Sequence, residues 1–214
     1  MYQIPASRNT KVALNAQDLL RIYNYKDPDP EINRGMDYWW LLYFGNGMNL
    51  KDAALLKYGN KQGDFIIFRR AKTDRRLGST SLPISVYIDS DLEALLYRRA
   101  NPKVDEETYL LPILHPGMNP LEIHDAVKGF IRFVNNCAKA VFAALGIEKK
   151  GTTKVTRHSF ITQQKRNGAT IIEIQEAVGH AHPSTTQYYA DSFEQDAKRS
   201  FASNTSKFKR QQSV

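Results

Sequence analysis

The chain has 214 residues, of which 30 are Lys or Arg and 22 are Asp or Glu, so its net charge at pH 7 is +8. With 42% hydrophobic and 24% charged residues, the composition is that of a folded globular protein and excludes wholesale disorder. The longest apolar run, Tyr38 to Phe44, is far shorter than the roughly 20 residues that a membrane-spanning helix needs. The single cysteine excludes a disulfide framework, and the basic excess favours a polyanionic partner.

The first third of the chain predicts three helices behind a polar opening. Residues 1–14 have no periodic pattern and are expected to form an entry segment or linker. The first helix begins near Asn15 and ends before the two prolines at 28 and 30, because prolines remove backbone donors. The second covers Glu31 to Phe44, and its apolar second half indicates a place in the core. The third extends from about Leu50 to Lys57.

A hairpin and further helices are predicted after residue 60. Phe65 to Arg70 and Leu82 to Ile88 have the composition of strands and are bounded by turn residues, with a basic tip between them. Helices are expected over Asp89 to Ala100, Asn119 to Leu145 and, more briefly, over 157–167 and 171–178. The predicted class is mainly α with a small antiparallel β-sheet (α+β). One domain is expected over residues 15–195, followed by a C-terminal tail over 196–214 that either exchanges between subunits or is disordered.

The last sixty residues combine a cluster of cations with a tyrosine. Lys154-Val-Thr-Arg-His-Ser-Phe-Ile-Thr is followed by Asn167-Gly-Ala, Gly179-His and Thr185-Thr-Gln-Tyr-Tyr. Arg157 is predicted to open a helix, where a planar and permanently charged fork is suited to a phosphate. Arg157 and His180 are 23 residues apart, and His180 and Tyr189 are nine apart.

These motifs resemble, in order and spacing, those of the tyrosine recombinase (phage integrase) family. In that family a tyrosine attacks a DNA phosphodiester, forms a 3′-phosphotyrosyl bond and releases a 5′-hydroxyl, which divides one difficult exchange into two easier steps. The resemblance implies the family's catalytic-domain fold, double-stranded DNA as the partner, and neither a cofactor nor a metal. Cationic side chains stabilise the charge that develops on the phosphate oxygens.

The resemblance also implies the roles of individual residues. Tyr189 matches the nucleophile, and the family has a hydrophobic residue at the position of Tyr188. The alternative is that one of the two tyrosines is merely packed. Arg157 matches the family's second arginine, which grips the scissile phosphate, and His180 matches the late histidine that hydrogen-bonds the same group. Lys154 stands where the family usually has histidine, and a lysine can still donate to a phosphate oxygen.

Lys72 and a small set of other cations complete the predicted site. Lys72 lies just after the first predicted strand and matches the hairpin lysine that protonates the departing 5′-oxygen; the alternative is a solvated basic turn. Arg75, Arg76 and Lys150 are expected to contact the DNA backbone. Such contacts depend on salt and carry little sequence information.

The family's first arginine is absent from this sequence. Asn49 holds its position in Gly47-Met-Asn-Leu-Lys-Asp-Ala, whereas Asp52 keeps the acidic position. Asparagine can hydrogen-bond a phosphate but brings no charge, and an uncompensated loss of such a donor costs about 3 kcal/mol. Either the protein is weakened or inactive, or another arginine fills the gap.

Arg70 is the expected replacement. Alternate residues of a strand face the same way, so Arg70 and Lys72 would point together toward the site. Arg34 is the weaker candidate. The sequence resembles the branch of mobile-element integrases that lack the usual first arginine, and for that reason we expect an active enzyme.

The predicted function is that of a site-specific DNA recombinase or integrase catalytic domain. Two alternatives stay open, namely a catalytically weakened DNA-binding remnant and a nicking-closing enzyme of type IB topoisomerase character. Whole members of the family carry an additional N-terminal domain and act as homotetramers on DNA. We therefore expect the chain to be a fragment of a longer protein, monomeric by itself, cytoplasmic in a bacterial cell, associated with DNA and not with a membrane.

Overall fold

A computed structural model describes residues 13–71 and 83–179 of the chain. The helices of these residues are α1 (Ala16–Asn24), α2 (Pro30–Phe44), α3 (Leu50–Ala54), α4 (Ser90–Arg99), α5 (Pro120–Ala144), α6 (Thr153–Arg166) and α7 (Ile171–Val178). The strands are β1 (Lys61–Gln62), β2 (Phe65–Phe68) and β3 (Ile84–Tyr87). The predicted class, mainly α with a small antiparallel sheet, is confirmed. Across 13–71 and 83–179, no helix has the length and apolarity required to cross a membrane.

Side-chain caps start several of the helices at the predicted places. Asn15 Oδ1 accepts a hydrogen bond from the backbone N–H of Asp18 at 2.6 Å, and Asp89 Oδ1 accepts one from Leu92 at 2.8 Å. These contacts satisfy backbone donors that the first turn of a helix leaves unpaired. The starts predicted near Asn15 and Asp89 are therefore confirmed, each for a local reason.

Helix α2 lies at the centre of the core. Its second half is almost wholly buried, with Trp39 fully enclosed, and the helix packs against α4, α5 and α6. Tyr38 meets Phe130 of α5 edge to face, with 4.8 Å between ring centroids. Edge-to-face aromatic pairs stabilise beyond the area they bury. The core position predicted for this apolar stretch is confirmed.

The sheet has the order β1-β2-β3 and is antiparallel throughout. Phe65 pairs with Tyr87 and Phe68 with Ile84, so the predicted hairpin between the second and third strands is confirmed. The prediction missed β1, since two residues are too few to show an alternating pattern. Helix α3 also ends at Ala54 rather than near residue 57, where Lys57 forms a bridge with Tyr109 instead.

Helix α6 begins earlier than predicted, at Thr153 instead of at 157. Asn135 Oδ1 of α5 accepts from the backbone N–H of Thr153 at 2.7 Å, and Trp39 Nε1 donates to Thr152 O at 3.3 Å. These two contacts hold the first turn in place. The prediction that Arg157 opens the helix is wrong, because Arg157 lies in the second turn.

Candidate active site

A small cleft lies where the α2–α3 turn, the sheet and the end of α7 meet. Residues from five parts of the chain line it: Gly45, Asn46, Met48, Asp52, Phe68, Arg70, Ile84, Arg157, Ala177 and Val178. Two of the predicted site residues, Arg70 and Arg157, are in this set. The structure therefore brings together two cations that are far apart in the sequence.

Arg157 is oriented by backbone carbonyls on two sides of the cleft. Its Nη1 donates to Gly47 O at 3.1 Å, and its Nη2 donates to Val178 O. Gly47 has a φ of +64°, and a Cβ atom there would lie 2.7 Å from the Cα of Arg157. Only glycine fits both the backbone angle and the close approach. The glycine of the Gly-Met-Asn stretch thus permits the contact between the α2–α3 turn and α6.

Arg70 is held in the same cleft by Asp52 and Gly179. Its side chain is 15% exposed, its Nη1 donates to Gly179 O at 3.0 Å, and its Nε lies 3.7 Å from Asp52 Oδ2. The carbonyls that orient the two arginines belong to consecutive residues at the end of α7, Val178 and Gly179. The alternation argument does not place Arg70, because β2 ends at Phe68; the tertiary contacts place it.

Asp52 is the buried carboxylate of the cleft. Its side chain is 5% exposed, and Oδ1 accepts from the backbone N–H of Ala71 at 3.0 Å. Burial raises the pKa of Asp52, while the Ala71 N–H and the charges of Arg70 and Arg157 act in the opposite direction. Asp52 thereby ties the segment after β2 to α3.

The raised pKa of Asp52 links the stability of the fold to pH. A carboxyl whose pKa is higher in the folded than in the unfolded state stabilises the fold in its protonated form. This contribution to the free energy of unfolding is fully present below the unfolded pKa, about 4, and is lost as the pH rises through the folded pKa. Asp52→Asn keeps an oxygen for Ala71 and has no proton to lose. Relative to the wild type, this variant is expected to gain stability as the pH rises from about 4, until Asp52 is ionised.

Urea unfolding at a series of pH values measures this difference. Asp64→Asn, on the exposed turn between β1 and β2, is the matched control substitution. A wild-type protein that gains stability over Asp52→Asn as the pH rises would contradict the assignment.

Asn49 and Arg34, the other residues considered for the first-arginine role, lie outside the lining of the cleft. Asn49 is exposed, and its Oδ1 accepts from the backbone N–H of Lys51 at 2.9 Å as the N-cap of α3. Arg34 pairs with Glu31 at 2.6 Å and lies over the ring of Phe133, 4.4 Å from its centroid. The role of Asn49 at the phosphate and that of Arg34 as a substitute for the first arginine both stay predictions.

Lys154 and Lys150 lie near the start of α6. Both are exposed, and Lys154 is in the first turn, nearly one turn before Arg157.

Burial lowers the pKa of His158, and the charges of Arg157 and Lys154 lower it further. His158 is half-buried and is not among the residues that line the cleft.

Five of the predicted site residues lie outside the described residues: Lys72, Arg75, Arg76, His180 and Tyr189. The described residues that precede two of them in the sequence both make cleft contacts. Ala71 donates to Asp52, and Gly179 accepts from Arg70. Within 13–71 and 83–179, no group of three or more His, Cys, Asp or Glu side chains is arranged to hold a metal ion.

A stripe of three cations and one asparagine on the exposed face of α5 is not among the predicted site residues. We call it the basic stripe. Its exposed members recur at steps of four, four and three residues: Lys128, Arg132, Asn136 and Lys139. The apolar periodicity of this helix was recognised, but the complementary polar face carried the same helical spacing. Asn135 of the same helix accepts a hydrogen bond from Thr153, the residue before Lys154. The helix that carries the stripe therefore contacts the start of α6.

Comparison with known proteins connects these motifs to one family. The family model described as "Phage integrase family" matches residues 13–196. A segment of 51 residues, 24% of the chain, is 49% identical to tyrosine recombinase XerD of Lacticaseibacillus casei. A segment of 62 residues, 29% of the chain, is 44% identical to XerD of Listeria monocytogenes. These matches cover only 17% and 20% of the length of the two relatives.

Solved structures share the fold at lower sequence identity. The XerA recombinase has a TM-score of 0.62 and 21% identity over 95% of this chain and 66% of its own. The Tn1549 transposon integrase, solved in complex with transposon right end DNA, has a TM-score of 0.58 and 15% identity over 91% and 66%. A lambda integrase dimer bound to a core site has a TM-score of 0.54 and 15% identity over 86% and 62%.

The chain therefore spans no more than about two thirds of the length of these solved relatives, and its fold is that of their catalytic domains. The order of the motifs, the fold and a family model that extends from residue 13 to residue 196 all agree. This chain belongs to the phage integrase family of tyrosine recombinases.

Proposed function

We propose that the chain is the catalytic domain of a site-specific DNA recombinase or integrase that cuts and rejoins DNA through a 3′-phosphotyrosyl intermediate. The observation that carries this proposal is the pairing of Arg70 and Arg157 in one cleft, oriented by the consecutive carbonyls of Val178 and Gly179. Two guanidinium groups with fixed planes are suited to a tetrahedral phosphate, since each can offer parallel N–H donors.

The reaction follows from the chemistry of the proposed residues. The phenol oxygen of Tyr189 bonds to phosphorus as the bond to the 5′-oxygen breaks, and the phenol proton passes to water. Lys72 supplies the proton that the departing 5′-oxygen requires. The reverse reaction with another 5′-hydroxyl rejoins the DNA, and the bond energy is conserved in the protein–DNA link.

The non-bridging oxygens of the phosphate are assigned to the two arginines of the cleft together with His180 and Lys154. Arg157, His180 and Lys154 donate to them, and Arg70 supplies the charge that Asn49 lacks. Donors that are already oriented stabilise the developing charge without reorganising during the reaction.

The proposed partner is double-stranded DNA, as in the complexes of the transposon integrase and the lambda integrase. Lys150, Arg75 and Arg76 are assigned to its backbone, and so is the basic stripe on α5. Phosphate contacts of this kind weaken steeply with added salt. The proposal includes a homotetramer on DNA, a monomer for this chain alone, and a mobile element in a bacterial cytoplasm as the setting.

A suicide DNA substrate tests the proposed chemistry. A nick placed just 3′ of the scissile phosphate lets a short oligonucleotide diffuse away after cleavage, which traps the covalent intermediate. The full chain, incubated with EDTA, is expected to form an SDS-resistant adduct with the 3′-phosphate end of the cut strand and to release the short oligonucleotide with a free 5′-hydroxyl. DNA binding without any adduct would favour the weakened remnant, and plasmid relaxation without strand exchange would favour the topoisomerase alternative.

A further inference from the structure

Leu14, at the start of the described residues, is tied to helix α6 by both of its backbone polar groups. Its N–H donates to Ser159 Oγ at 2.9 Å, across 145 residues of sequence, and its carbonyl accepts from Gln163 Nε2 at 3.2 Å. Lys149 Nζ donates to the neighbouring carbonyl of Ala13. The chain thus enters the domain along the helix that carries Arg157.

The contact with Ser159 is enclosed. Leu14 and Ser159 are both 0% exposed. A buried backbone N–H that loses its acceptor cannot turn to water and costs the full desolvation of the group. The Ser159 hydroxyl is therefore the acceptor that permits the backbone N–H of Leu14 to be buried at this position.

The geometry of α6 connects this contact to the cleft. Ser159 and Gln163 are four residues apart and share one face of the helix. Arg157 precedes Ser159 by two residues, about 200° around the helix, and its guanidinium reaches the opposite side to contact Gly47 and Val178. Helix α6 is thus fastened on one side to the entry segment and on the other to the cleft, so a rotation about its axis would move Arg157.

We propose that Ser159 is a positioning residue that fixes the rotation of α6, and with it the guanidinium of Arg157, against the segment by which the chain enters the domain. The assignment to recombination rests on the proposed function; the mechanical link rests on the contacts alone. A displacement of the entry segment is then transmitted to the phosphate-binding arginine through Leu14 and Ser159.

The test compares two buried hydroxyls of the same helix. Ser159→Ala removes the acceptor for Leu14, whereas Thr156→Val removes a hydroxyl that donates only to Thr153 O at 2.7 Å within the helix. Ser159→Thr restores an acceptor on the same Cβ. Gln163→Met removes the second bond to Leu14 and serves as the independent variant if Ser159→Ala does not fold.

The principal readout is the Nε–Hε signal of Arg157 in an NMR spectrum of the whole chain, assigned with Arg157→Lys. Ser159→Ala and Gln163→Met are expected to shift this signal and to speed amide exchange of Leu14 by at least about tenfold. Thr156→Val is expected to leave both near the wild-type values. Faster exchange at Leu14 with an unmoved Arg157 signal overturns the proposal.

Adduct formation on the suicide substrate gives the second readout. At saturating DNA, Ser159→Ala is expected to form the adduct about ten- to a hundredfold more slowly, with DNA affinity within about twofold of the wild type and with recovery in Ser159→Thr. A loss that parallels the unfolded fraction alone would overturn the positioning role. A wild-type chain that forms no adduct refutes the proposed function, and the Arg157 signal then still decides the mechanical link.

Discussion

Replacing Tyr189 with phenylalanine is expected to abolish the covalent DNA adduct, whereas Tyr188→Phe is expected to keep it. Phenylalanine retains the ring and removes only the oxygen that bonds to phosphorus, so no phosphotyrosyl link can form. The measurement is the fraction of suicide DNA retained in an SDS-resistant complex after incubation with each variant. The two variants carry the same Tyr-to-Phe change at adjacent positions. Each therefore serves as a control for effects of the other on folding and expression.

DNA binding supplies the control for this prediction. Both variants are expected to bind a fluorescent DNA duplex with affinities within about twofold of the wild type. The reason is that contacts between cationic side chains and the DNA phosphates dominate the affinity. An adduct that persists in Tyr189→Phe and disappears in Tyr188→Phe would assign the nucleophile to Tyr188 instead.

Arg70→Ala is expected to slow adduct formation by about 10²- to 10³-fold, the usual effect of removing one donor from a preorganised charge-stabilising site. Arg70→Lys is expected to give an intermediate rate, since lysine keeps the charge but not the planar fork. Arg69→Ala is the matched control, because Arg69 is the exposed neighbour of Arg70 and lies outside the lining of the cleft. Single-turnover rates on the suicide substrate, at saturating DNA, measure all three.

Two controls separate a loss of catalysis from a loss of folded protein in Arg70→Ala. This variant leaves the buried carboxylate of Asp52 without its partner, so the folded fraction is measured by circular dichroism at the assay temperature. Asn49→Arg returns an arginine to the family's usual position and is expected to restore part of the rate in the Arg70→Ala background. Full activity in Arg70→Ala would show that Arg70 does not fill the gap.

Local signals account for most of what could be predicted about the fold. The caps at Asn15 and Asp89, the apolar second half of α2 and the period of α5 each depend on residues within one or two helical turns. The errors occurred where distant contacts override such signals. Helix α6 starts at Thr153 because Asn135 receives its backbone N–H, and residue 57 leaves α3 to pair with Tyr109.

The candidate site shows the same division between local and distant causes. Residue types and spacings are properties of the chain itself, so the sequence by itself determined the family. It also predicted Asn49 in place of the first arginine and gave the cations that are candidates to replace it. Only the tertiary structure shows which of those cations lie in the cleft. Arg34 pairs with Glu31 outside the lining of the cleft, whereas Arg70 lines the cleft and contacts Gly179, 109 residues away. The physical reason is that Asp52 holds Arg70 by a buried charge, a contact between separate segments that no local pattern encodes.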